Sequence, residues 1–197
     1  MEIVKEDIEF IPEIHAYLIS GVLVPSVSDL LKFVFPNKYA NIPAHILNAK
    51  AEWGTHIHEA IESYHKCEDV ELTEMEEIVF NEYLDLVEQF EIEPIEQEAL
   101  VHFEDRYCGT LDMVANVSGI RSLIDIKTTA KLDKESLAYQ LGFYRMAYIS
   151  KNPKGDFNKY FCLWLPKGDV GKLVEITPKP VHELLEVLDR YENNCKD

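Results

Sequence analysis

Closely spaced cysteines are missing from this chain. Cys67, Cys108, Cys162 and Cys195 are scattered and form no CxxC. Zinc ribbons and disulfide-stapled secreted folds need such pairs, so the sequence reads as reduced and cytoplasmic. It has no glycine-rich phosphate loop, no GxSxG and no Cys/His zinc spacing. Long apolar runs are absent, and the N-terminus MEIVKEDIEF has no basic region leading into an apolar stretch. The expectation is therefore no transmembrane helix, no secretory signal and no membrane partner. Internal repeats and low-complexity linkers are absent as well.

Positive charge is short in one half. Overall the chain carries 19 basic and 36 acidic residues, net −17. Residues 1–98 hold 5 of the basic and 22 of the acidic ones, so that half alone is −17 and the remainder is neutral. Such a balance argues against a protein that coats nucleic acid, and leaves room for a local basic path.

What is present is enough apolar material for a core: 47% hydrophobic and 11% aromatic in 197 residues. HAYLISGVLVPS reads as two short strands around Ser20-Gly21. Ser26 or Ser28 caps a short helix, SDLLKFVF, that Pro36 ends. From Pro43 to about Lys66, Ile46, Ala49, Trp53, Ile57, Ala60 and Tyr64 recur at helical spacing and mark one buried face. Thr73 with Glu76 is a capping box for a helix to about Glu91.

The period then becomes two. Strands are expected over Ile95–Phe103, Tyr107–Val117 and Arg121–Thr128, with turns at Glu104-Asp105 and Ser118-Gly119. A helix follows from about Lys134 to Ser150, with Leu137, Leu141, Tyr144 and Tyr148 on one stripe. Strands Tyr160–Leu165 and Leu173–Ile176 and a helix from Pro180 complete an α/β sandwich around a mixed sheet.

If Ser118-Gly119 is a two-residue loop, Val117 faces Ile120, Asp112 faces Asp125 and Thr110 faces Lys127. Two carboxylates roughly 5 Å apart in an apolar hairpin repel unless a proton, a cation or a metal lies between them. A hard divalent ion such as Mg²⁺ suits them, with Lys127 on the same face as Asp125 to offset developing negative charge. The alternative is a solvated hairpin carrying an ordinary Asp–Lys pair. His58 lies on the long helix one turn after Gly54, which leaves room for a close neighbour. Gln140 and Tyr144 are one turn apart on the later helix. Lys131, Lys134, Arg145 and Lys151 surround that helix, where they meet phosphates or only solvent.

In order, GTHIH, GTLD, DIK and QLGFY resemble the PD-(D/E)XK nuclease superfamily in its RecB-like branch, which includes phage and prophage exonucleases. The resemblance spans roughly Trp53 to Tyr148. It implies a restriction-endonuclease-like core (helix, three antiparallel strands, helix, strand) with a mixed sheet flanked by helices. The implied single domain has an N-terminal hairpin and short helix over 1–43, a catalytic core over 44–165, and a C-terminal strand and helix over 166–197. The resemblance makes Asp112, Asp125 and Lys127 catalytic. It assigns Mg²⁺ or Mn²⁺ to Asp112, Asp125 and the Ile126 carbonyl, associates His58 with the metal or with the substrate phosphate, and makes Glu98 a further acidic group. Gln140 and Tyr144 would shape the nucleic-acid path, and Lys131 and Arg145, by their charge beside that helix, would meet DNA. Some relatives carry four cysteines for an iron–sulfur cluster, three of them close together late in the chain; Cys162 and Cys195 stand alone here, so no cluster is expected. The implied function is a metal-dependent DNA exonuclease of recombination or repair in a bacterial cytoplasm, native or phage-encoded, acting on ends or single strands, alone or with a recombinase or helicase. The alternatives are a structure-specific endonuclease and a non-catalytic DNA-binding or assembly module.

Overall fold

The computed structural model describes residues 8–11, 14 and 16–195. In chain order these residues form β1 (Ile8–Ile11), β2 (Ala16–Ile19), β3 (Val22–Val24), α1 (Val27–Val34), α2 (Ala44–His65), α3 (Glu74–Phe90), β4 (Ile92–Phe103), β5 (Tyr107–Val117), β6 (Ile120–Lys127), α4 (Lys134–Lys151), β7 (Lys159–Trp164), β8 (Lys172–Glu175) and α5 (Val181–Asn194). The segment 1–43 is thus described only in part. His15, expected in the first strand, lies outside the described residues.

Local chemistry sets the element ends. Ser26 Oγ accepts the Asp29 N–H at 3.0 Å, and Asp29 Oδ2 accepts the Ser26 N–H at 3.1 Å, so Ser26 rather than Ser28 caps α1. Glu76 accepts from both the N–H and the hydroxyl of Thr73, at 2.8 and 2.7 Å, which opens α3. Ser20-Gly21 and Ser118-Gly119 all have φ between 48° and 79°, the doubly left-handed turn that matches strand twist.

The main sheet has the order β4-β5-β6-β7-β8, antiparallel except for β6 and β7, which run parallel and are joined through α4. Its side chains feed two cores. On one face Ile57, Ile61, Val79 and Tyr83 of α2 and α3 cover Met113, Ile124, Ile126 and Leu163. On the other, Leu30, Leu141, Phe143 and Leu184 of α1, α4 and α5 cover Val114, Leu123 and Cys162. A smaller antiparallel sheet, β1-β2-β3, closes on the start of β5, where Tyr17, Ile19 and Val24 bury Cys108. Among the described residues no helix is long and apolar enough to cross a membrane.

Two expectations change. β1 was not expected; its IEFI alternation pairs Ile8 with Ile19 and adds a third strand to the N-terminal hairpin. The apolar stripe of α2 is not buried along its length. Ile57, Ala60 and Ile61 are buried, whereas Ile46 and Tyr64 are 39% and 46% exposed and, Leu47 apart, residues 44–52 are exposed. Helical periodicity marks a face, but burial ends where the neighbouring element ends.

Candidate metal centre

The β5–β6 hairpin follows the expected register from Val117↔Ile120 to Met113↔Ile124 and then stops. Asp112 and Asp125 are therefore not a cross-strand pair, and neither are Thr110 and Lys127. The cause is a kink shared by β4 and β5. In a regular strand Leu111 and Met113 share a face; here Leu111 belongs to the core under α4 and Met113 to the core under α2 and α3. The face changes at Asp112. In β4 the facing residue is Glu98, which lies between the pairs Gln97↔Met113 and Ala99↔Leu111 without a change of register and has a left-handed φ of 46°; the register of β4 shifts earlier, between Pro94 and Glu96. Past this kink β5 leaves β6, whose last residues keep only their pairing with β7: Asp125↔Cys162, Ile126↔Leu163, Lys127↔Trp164.

Asp112 sits at the split. Its Oδ2 accepts the Ile126 N–H at 2.6 Å, standing in for the missing ladder bond. Its Oδ1 faces His58 Nδ1 at 3.9 Å, and Glu98 Oε1 faces the same nitrogen at 3.8 Å. The other ring nitrogen, Nε2, lies 3.2 Å from the Ile126 carbonyl oxygen. A carbonyl only accepts, so Nε2 carries the proton and the Nδ1 lone pair points at two carboxylates. One donor atom each from His58, Glu98 and Asp112 lie within 4.8 Å of one another. Burial works against a charge on His58, yet Asp112 and Glu98 outweigh burial and Lys127 and raise its pKa above the ordinary histidine value. A proton or a metal at Nδ1 relieves the same conflict.

Asp125 stands outside that triplet. It is 1% exposed, with Lys127 Nζ 2.7 Å from Oδ2, but neither carboxylate oxygen receives a well-formed hydrogen bond from the described residues. Burial, reinforced by Asp112 and opposed by Lys127, pushes its pKa up to about 6. For Lys127 burial is again the largest influence and disfavours the charge, but Asp125 and Asp112 overcome it and keep the ammonium charged. Three carboxylates against one ammonium, with a buried carboxylate lacking hydrogen bonds and a lone pair aimed at two others, fit a divalent cation held by oxygen and imidazole donors. The Ile126 carbonyl lies within this group, already accepting from His58 and, at 3.4 Å, from Lys127 Nζ.

Beside the carboxylates, Tyr144 is buried on α4, and burial, Asp112 and Asp125 hold its hydroxyl protonated against the hydrogen bond with Gln140. Gly109 makes room for that ring: a Cβ there would lie 2.8 Å from Tyr144 Cε1 and 3.0 Å from Val27 Cγ2. Sequence reasoning used Gly109 only as part of a motif; its contact with Tyr144 needs the fold. Gly54 does admit a close neighbour, Thr128, whose Oγ1 would be 3.4 Å from a Cβ.

The expected basic path does not assemble as expected. Lys131 and Lys134 are exposed just after β6. Arg145 is engaged elsewhere: its Nε and Nη2 form a two-pronged pair with Asp156 at 2.9 and 2.6 Å, ahead of the end of β7 that pairs with Ser122 rather than with Lys127. Lys151 ends α4, about 25 Å along the helix from Lys134 at 1.5 Å per residue. Of the aromatic residues on this helix, Phe143 is fully buried, and Tyr139 packs edge-on against Phe35 under Lys179. Sequence reasoning placed Trp53 only on the buried stripe of α2 and gave Trp164 no role; the fold puts both beside the end of β6.

No family model and no curated protein matches the chain. Among solved structures, one described as the crystal structure of SSO0001 aligns at 17% identity with a TM-score of 0.44, covering 84% of this chain and 73% of that one.

Proposed function

We propose that the chain is a Mg²⁺- or Mn²⁺-dependent DNA nuclease, acting as an exonuclease. The observation that carries the reading is the convergence of His58, Glu98 and Asp112 at the point where β5 leaves β6, beside the buried Asp125–Lys127 pair. The order of GTHIH, Glu98, GTLD, DIK and QLGFY, on a helix, three strands and a helix, supports the nuclease superfamily and its restriction-endonuclease-like core.

In this reading His58, Glu98 and Asp112 hold the metal, with Asp125 and the Ile126 carbonyl beside them. When bound, the metal supplies a water nucleophile at neutral pH and polarises the phosphodiester. The residues do the rest. Nε2–H donation to Ile126 O keeps His58 Nδ1 available as a donor atom. Lys127, kept charged by Asp125, faces the negative charge that develops on the phosphoryl oxygens. The buried Asp125 fixes that ammonium. Three carboxylates repel a phosphodiester in the absence of a cation, which makes turnover depend on the metal.

A net charge of −17 supports end-dependent action, because a chain that cannot coat a duplex can still admit one strand. Digesting linear and covalently closed circular DNA of equal length in Mn²⁺ tests the reading. Loss of linear DNA alone, absent with Asp112→Asn, is expected. Equal cutting of both forms would support the endonuclease alternative, and no cutting of either would remove the reading.

A further inference from the structure

Both tryptophans of the chain flank the strand end that carries Lys127. Trp164 is the parallel-ladder partner of Lys127, one strand away and roughly 4.8 Å distant. Its indole N–H donates to Thr129 O at 2.6 Å, which ties it to the segment leaving β6. Trp53 precedes Gly54, the residue of α2 that packs against Thr128. The two indoles lean on opposite cores, Trp164 with α4 and Trp53 with α2 and α3, so the chain end after Lys127 runs between them.

Each indole has one exposed lysine over its ring. Lys167, in the turn after β7, places Nζ 4.0 Å from the Trp53 ring centroid. Lys172, the antiparallel partner of Trp164 on β8, places Nζ 5.3 Å from that ring. The Trp53 indole N–H is shielded from water and has no acceptor among the described residues, so packing rather than a hydrogen bond holds that ring. An exposed cation over an aromatic face is a weak contact. A nucleotide offers better partners to both members: a phosphate for the ammonium and a base for the ring.

We propose that Trp53–Lys167 and Trp164–Lys172 are two nucleotide stations, one on each side of the reacting phosphodiester, that take a single strand of DNA. The assignment rests on the phosphodiesterase reading for its reacting bond, but the binding itself does not need the metal. Bases stacked in a duplex have no free face to give an indole, so the stations select unpaired nucleotides. Lys127 and Lys131 lie between and beside them and continue the positive edge, in place of Arg145 and Lys151.

The test uses the full chain in EDTA, with oligothymidylate as the probe. Because only two tryptophans exist, Trp53→Phe and Trp164→Phe are single-tryptophan reporters of each station. Both should show fluorescence quenching that saturates with the fluorescence anisotropy of labelled oligonucleotide. Lys167→Ala and Lys172→Ala should each lower the log–log salt slope by about 0.7, one phosphate apiece. Trp53→Ala and Trp164→Ala should weaken binding about 5- to 150-fold, the range for one stacked base, and in turnover should raise KM while leaving most of kcat. Binding without quenching in either reporter, unchanged salt slopes, or no binding at all overturns the proposal. Quenching without any hydrolysis in Mn²⁺ leaves the stations standing and removes the nuclease reading; hydrolysis without quenching does the reverse.

Discussion

Replacing Glu98 by glycine and, separately, by alanine separates backbone strain from carboxylate chemistry. Glu98 has φ 46° inside a strand of 12 residues. A left-handed backbone costs an ordinary L-residue about 1–2 kcal/mol, and glycine escapes that cost. Glycine also loses about 0.5–1 kcal/mol relative to alanine through the freedom of its unfolded chain. Taking matching ends of the two ranges, the difference leaves Glu98→Gly more stable than Glu98→Ala by about 0.5–1 kcal/mol. At about 2–4 °C per kcal/mol for a chain of this length, that is about 1–4 °C in Tm. In an ordinary strand the order is the opposite. Both variants lose the same carboxylate, so both should lose most of the Tm gain that Mn²⁺ gives the wild type. Calorimetry in EDTA and then in Mn²⁺ measures both effects. An alanine variant that melts as high as the glycine variant would refute the kinked geometry. A full Mn²⁺ response in either would refute Glu98 as a metal donor.

Gly109→Ala should lower Tm by about 2–12 °C, since a Cβ at 2.8 Å from Tyr144 and 3.0 Å from Val27 implies overpacking of about 1–3 kcal/mol; thermal melting checks it. Asp125 has a native pKa pushed up to about 6 by burial and Asp112 against Lys127, above the unfolded value of roughly 3.9. A raised carboxyl pKa lends stability below the unfolded value and loses it as pH rises through the native one. In EDTA the Tm of the wild type relative to Asp125→Asn should therefore fall from about pH 4 to about pH 6; a flat difference would sink the assignment. Arg145→Ala should leave the salt dependence of DNA binding unchanged, because its guanidinium already pairs with Asp156, whereas Lys131→Ala should reduce it; anisotropy titrations at several salt concentrations decide.

Much of this fold is legible because its signals are local. The Thr73–Glu76 capping box, the Ser118-Gly119 turn and the alternation of β5 and β6 each need only a few neighbouring residues. The carboxylate geometry is not local. A glutamate in a left-handed conformation has no sequence signature, so extending the hairpin register through Asp112 places it opposite Asp125, whereas the kink turns it toward His58 and Glu98. GTHIH and DIK single out His58 and Lys127 from a few neighbouring residues, but the pairing of His58 Nε2 with Ile126 O joins residues 68 apart. Arg145 looks available in the sequence because Asp156 lies beyond the end of its helix. Trp53 and Trp164 reach the two sides of the end of β6 only through the Gly54–Thr128 contact and the parallel β6–β7 ladder, which periodicity cannot foresee.

We propose that His58, Glu98 and Asp112 hold a divalent cation. Titrating Mn²⁺ into the metal-free chain and following unbound Mn²⁺ by electron paramagnetic resonance tests it directly. Saturable binding is expected in the wild type, strengthening as pH rises past the titration of His58 because the metal and a proton compete for Nδ1. The binding should be lost in an Asp112→Asn/Glu98→Gln double variant whose Tm in EDTA shows that it still folds. Equal binding by that variant, or no saturable binding by the wild type, would contradict the account.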